Sequence, residues 1–150
     1  MMKSGAGGNW RRFDEKIDAS IVKQKDLSCV AAVGEMLLRE RGIIFTQDKI
    51  LGIIGKKASI YDLKDVLNEA DKSSRWKGGY AVDDSIVFGK EKFLAVLQEP
   101  LNLGHAVFVK GMDEQGYFLI NDPADQTAYR MTQKDFLENW GGGIIFYEKD

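Results

Sequence analysis

Cysteine, histidine and proline are scarce in this chain. Of its 150 residues one is cysteine, one is histidine and two are proline. A single cysteine forms no internal disulfide, which fits a reducing compartment or a site of thiol chemistry. One cysteine and one histidine also cannot make the four-ligand set of a structural zinc site. Apolar runs are only a few residues long, so no segment reads as a transmembrane helix. The segment from Met1 to Gly8 lacks the apolar stretch of a signal peptide. The formal net charge is −2, so no overall field favours nucleic acid.

What is present is an ordinary globular composition, 44% hydrophobic and 29% charged. Residues 1–8, MMKSGAGG, read as a flexible leader, and residues 9–150 as a single domain. The doubled methionine suggests a start codon placed ahead of a piece taken from the C-terminus of a larger protein. Apolar residues recur at helical spacing over residues 29–41, and Gly42 ends that helix. Ala31, Ala32 and Gly34 allow close neighbours, as a central buried helix requires. Thr46 and Ser59 cap two further helices, Gln47 to Ile54 and Ile60 to Ala70. A Gly-rich segment follows around Trp76 to Tyr80, and Lys90 to Gln98 reads as another helix, closed by Pro100. Strands are expected at His105 to Met112, Tyr117 to Asn121, Gln126 to Met131 and Ile144 to Tyr147. A helical turn capped by Thr132 precedes the last of these. Helices first and an antiparallel sheet second read as an α+β fold.

The chemistry gathers around the rare residues. A thiol attacks only as thiolate, and both a helix N-terminus and a neighbouring imidazolium favour that form. Cys29 opens the central helix. His105 opens a strand after Gly104. The hairpin turn from Asp113 to Gly116 folds the next strand back, so Asp122 returns towards His105. There its carboxylate is expected to accept the Nδ1 proton and fix the ring. Gln24, five residues before Cys29, is placed to complete an oxyanion hole with the Cys29 N–H. Asn121 is a rival third member, and strand alternation points the two neighbours opposite ways without choosing between them.

The stretch VKQKDLSCVAAVGEMLL resembles the nucleophile region of papain-like cysteine peptidases, in particular the C39-type peptidases that process bacteriocins. The stretch GHAVFVKGMDEQGYFLINDPADQTAYRMTQKDFLENWGGGIIF is similar to the second half of the same family. The resemblance implies a papain-like fold. It assigns Cys29 as nucleophile, His105 as base, Asp122 as third member and Gln24 as oxyanion glutamine. It implies cleavage after a Gly-Gly pair, with no metal or organic cofactor. Val30 departs from the family glycine after the cysteine and adds bulk beside the sulfur. The Gln24–Cys29 gap is also one residue shorter than the commonest spacing. With no transporter segment attached, the chain is more similar to papain-fold toxins of bacterial competition. Those are delivered into the cytoplasm of a target bacterium and neutralised by an immunity protein. The expected partner is therefore a protein substrate, with an immunity protein as second partner and neither membrane nor nucleic acid involved. The same site chemistry also suits a deamidase or acyltransferase. A nuclease toxin or an inactive binding module is the remaining alternative. Gly7-Gly8 is a candidate self-processing site, with a plain linker as the simpler reading. Trp76, Tyr80, Phe136 and Trp140 are core aromatics or groove lining. Lys56-Lys57 and the Arg39/Arg41 pair read as solvated charge.

Overall fold

The computed structural model describes residues 10–25, 28–55, 59–81, 83–97 and 104–149. The leader with Gly7-Gly8, the pair Lys56-Lys57 and Pro100 lie outside the described residues.

Three helices follow the first strand. β1 (Phe13–Ile17) leads to α1 (Cys29–Glu40), α2 (Gln47–Ile54) and α3 (Ile60–Asp71). Then come β2 (Trp76–Tyr80), a 3-10 turn (Asp84–Gly89), β3 (Phe93–Leu97), β4 (His105–Met112) and β5 (Phe118–Asp122). β6 (Thr127–Met131), α4 (Gln133–Asn139) and β7 (Trp140–Tyr147) complete the order. The strands form one sheet, β1-β6-β5-β4-β3-β7-β2, with every pairing antiparallel. The result is the α+β, papain-like arrangement expected, with α1 on one face of the sheet.

Local chemistry sets the helix starts. The Thr46 hydroxyl accepts the Lys49 N–H, and Ser59 with Asp62 forms a reciprocal capping box. α1 is nearly buried, and Gly34 is where it is crossed most closely. A β-carbon there would lie 2.8 Å from Leu63 Cδ1 and 3.1 Å from Ile50 Cδ1. Alternation along β4 divides the core in two. Ala106 and Phe108 join the helical side with Ala32, Leu37 and Leu63. Val107 and Val109 join the other side with Phe118, Phe136 and Trp140.

The helix expected at Lys90–Gln98 is instead the strand β3. It lies between β4 and β7, and Phe93, Leu94, Ala95 and Leu97 are fully buried. A strand covered on both faces loses its period-two signal, and a short apolar run then looks like either element. The Gly-rich segment is the edge strand β2, paired with β7. β1 and the 3-10 turn carry no clear periodicity in sequence. Trp76, Phe136 and Trp140 are core residues, whereas Tyr80 is 57% exposed. Arg39 and Arg41 pair with Glu35 and Asp71 at the surface.

Candidate active site

Cys29 is the first residue of α1. Its N-cap, Ser28, makes no side-chain cap bond. The Ser28 hydroxyl turns away instead, 2.7 Å from the Lys25 carbonyl and 3.1 Å from Gln47 Oε1. Ser28 thus leaves the first-turn N–H groups of the helix uncapped, which suits them to an incoming anion. The half-buried Cys29 Sγ accepts a hydrogen bond from the Ala106 N–H at 3.4 Å. That bond joins the start of α1 to β4 beside His105.

Gly104 prepares the entry to β4. Its φ is +132°, and a β-carbon there would meet Val96 Cγ1 at 2.8 Å, so a side chain is excluded by both strain and space. His105 follows, buried, with Nε2 2.6 Å from Asp122 Oδ1. The expected geometry is corrected here: the carboxylate takes Nε2, not Nδ1. The sulfur lies against the β4 main chain at Ala106, so the ring nitrogen nearer the backbone is the one left for it. The outer nitrogen reaches across to β5.

Asp122 spends both oxygens. Oδ1 also accepts the Ala124 N–H at 2.9 Å, and Oδ2 accepts the Tyr129 hydroxyl at 2.7 Å. Burial raises the energy of both charges. For Asp122 the His105 cation and these donors more than reverse it, and the carboxyl is held below its usual range. For His105 burial opposes the cation, but Asp122 and then Cys29 outweigh it and raise the pKa to about 10. Tyr129, buried and facing the Asp122 charge, is pushed well above its ordinary value, so its hydroxyl stays protonated and donates.

Of the four residues singled out in the sequence, Cys29, His105 and Asp122 come together, His105 on Asp122 and the sulfur on the neighbouring Ala106 N–H. Gln24 lies beside them by its backbone, its N–H donating to Pro123 O at 2.8 Å. Its Oε1 is buried without a protein partner. Asn121 is placed opposite Phe108 on β4 and does not hold the imidazole. Sequence reading missed Tyr129, Trp10 and Gln47. Tyr129 had a usable signal, since Thr127, Tyr129 and Met131 alternate inward along β6. Gln47 had none. It accepts the Lys25 N–H at 3.2 Å and donates Nε2 to Lys23 O at 2.7 Å, fastening the segment before Cys29 to α2. Among the described residues no cluster of His, Cys, Asp or Glu is suited to a metal.

A family model for the peptidase C39 family matches residues 18–150. The chain belongs to that family. By that membership it is a cysteine peptidase domain. It is 37% identical over 152 residues to "cysteine protease effector 1" of Escherichia coli O1:K1:H7, a match covering 97% of this chain and 30% of that protein. The chain thus spans less than a third of the length of that relative. Among solved structures, the peptidase domain of Streptococcus ComA, a bifunctional ABC transporter involved in quorum sensing, aligns with TM-score 0.67 at 20% identity. That alignment covers 85% of this chain and 97% of the other. The peptidase domain of Streptococcus mutans ComA aligns with TM-score 0.57 at 22% identity, covering 86% and 98%. Both carry the fold. No helix among the described residues is long and apolar enough to cross a membrane.

Proposed function

We propose that Cys29 is the nucleophile of this peptidase, with His105 as its base and Asp122 as the group that orients His105. The observation that carries this reading is the buried 2.6 Å His105–Asp122 contact beside a sulfur at an uncapped helix start. His105 takes the Cys29 proton, and Sγ attacks the scissile carbonyl carbon. The tetrahedral oxyanion is held by the Cys29 N–H and the Gln24 amide. The imidazolium then gives its proton to the leaving amine, and water opens the thioester with His105 again as base. Asp122 stabilises the imidazolium without taking its proton.

The substrate is a protein cut after Gly-Gly, and the chain acts as an effector delivered into the cytoplasm of a target bacterium and neutralised by an immunity protein. Family membership supports the first statement, and the relative named as an effector supports the second. The test compares the proteins of cells expressing the wild type with those expressing Cys29→Ala, sequencing the termini of fragments unique to the wild type. Cuts that follow Gly-Gly are expected. Cuts elsewhere overturn the specificity. A +1 Da change without fragments would make the enzyme a deamidase.

A further inference from the structure

The His105 ring is covered by a residue that the family match does not include. The match begins at residue 18, whereas Trp10, 2% exposed, stacks on His105 with ring centroids 6.3 Å apart and planes 16° from parallel. We propose that Trp10 is a positioning residue for His105 and Asp122, supplied by a strap that runs ahead of the family-matched region. This rests on the reading of Cys29, His105 and Asp122 as the catalytic triad.

The strap is fastened from several sides. β1 pairs with β6, Phe13 opposite Arg130, which carries the preceding residues back across the end of the sheet. Arg11 makes a two-pronged contact with Asp135, at 2.8 and 3.1 Å. The Arg12 guanidinium lies 5.2 Å from the Trp10 ring and 5.1 Å from that of Tyr129. The Trp10 indole N–H donates to the Tyr129 hydroxyl at 3.1 Å, and that hydroxyl donates to Asp122 Oδ2. One side chain therefore acts on the pair twice. Its ring limits rotation of the imidazole and keeps water from the His105–Asp122 hydrogen bond. Its N–H orients the hydroxyl that holds the second Asp122 oxygen. An imidazole must lie in line with both sulfur and carboxylate to carry the proton between them, so lost alignment appears directly in the rate.

The test uses the whole chain and its lone cysteine. Wild type, Trp10→Phe, Trp10→Leu and Trp10→Ala are alkylated with iodoacetamide across mildly acidic to neutral pH. His105 is titrated by NMR in each, and folding is followed by circular dichroism. Wild type should react much faster than a free thiol. Trp10→Ala should react roughly tenfold more slowly, with the His105 titration moved down from about 10 towards 6.5. Trp10→Phe, which keeps the ring, should retain most of the rate, and Trp10→Leu should fall between. If Trp10→Ala does not fold, the Phe and Leu variants decide by the same two readings. Unchanged alkylation and titration in Trp10→Leu, and in Trp10→Ala where it folds, overturn the proposal alone. Slow alkylation of the wild type overturns the triad reading and this inference with it.

Discussion

The His105–Asp122 side of the site and the Cys29–Gln24 side differ in how their polar atoms are engaged. Asp122 accepts from His105, Ala124 and Tyr129, and the ring of His105 is stacked under Trp10. Cys29 is half-buried, and its N-cap Ser28 makes no side-chain cap bond. One side is complete without substrate and the other waits for it. A proton carrier profits from being fixed beforehand, because reorganisation during the reaction costs rate. An oxyanion hole must keep donors free, and the first-turn N–H groups of α1, which Ser28 does not cap, meet that need. The segment bearing Gln24 is still held in place by Gln47 and Pro123.

The largest effects should come where the two sides meet. Cys29→Ala and His105→Ala should each abolish peptide cleavage, a loss of at least about 10³-fold, because residues acting as one unit each carry nearly the whole effect. The double variant should be no worse than either single one. Cleavage remaining within tenfold of wild type in either variant would remove the triad reading. Gln24→Ala should come next, with kcat down roughly 10²-fold and KM little changed, as for loss of one oxyanion donor. Val30 and the short spacing from Gln24 make this the sharper test of the comparison. Wild-type kcat in Gln24→Ala would mean that the α1 N–H groups hold the oxyanion without the glutamine.

The same contrast separates what the sequence reveals from what it conceals. Cys29 and His105 are legible because each is unique in the chain, whereas the hairpin turn returns Asn121 and Asp122 together and the family resemblance picks Asp122. The helices α1 to α3 are legible through spacing and caps. β3 was misread because burial on both faces erases alternation. The ring nitrogen bound by Asp122 was misread because it depends on where the sulfur lies against β4, a tertiary fact. Trp10 and Gln47 act through contacts far along the chain, 119 residues from Trp10 to Tyr129 and 24 from Gln47 to Lys23. No local pattern encodes such pairings.

Asp122→Asn probes the completed side at the smallest scale, through stability. His105 has its pKa raised by folding, from 6.5 to about 10, so its contribution is full below 6.5 and is lost as pH rises towards 10. Asp122 has its pKa lowered from 3.8, so its contribution is present above 3.8 and is lost as pH falls through the lower folded value. The pair should therefore stabilise the fold most between 3.8 and 6.5. In Asp122→Asn the charge that sustains the His105 cation is gone while the side-chain shape is kept. The unfolding free energy of wild type minus that of the variant, measured by denaturant titration across pH, should form a plateau in that window and decline on both sides. A difference that stays flat from acid to alkaline pH would mean that this buried contact is not an ion pair, and His105 would then be held by packing under Trp10 rather than by the charge of Asp122.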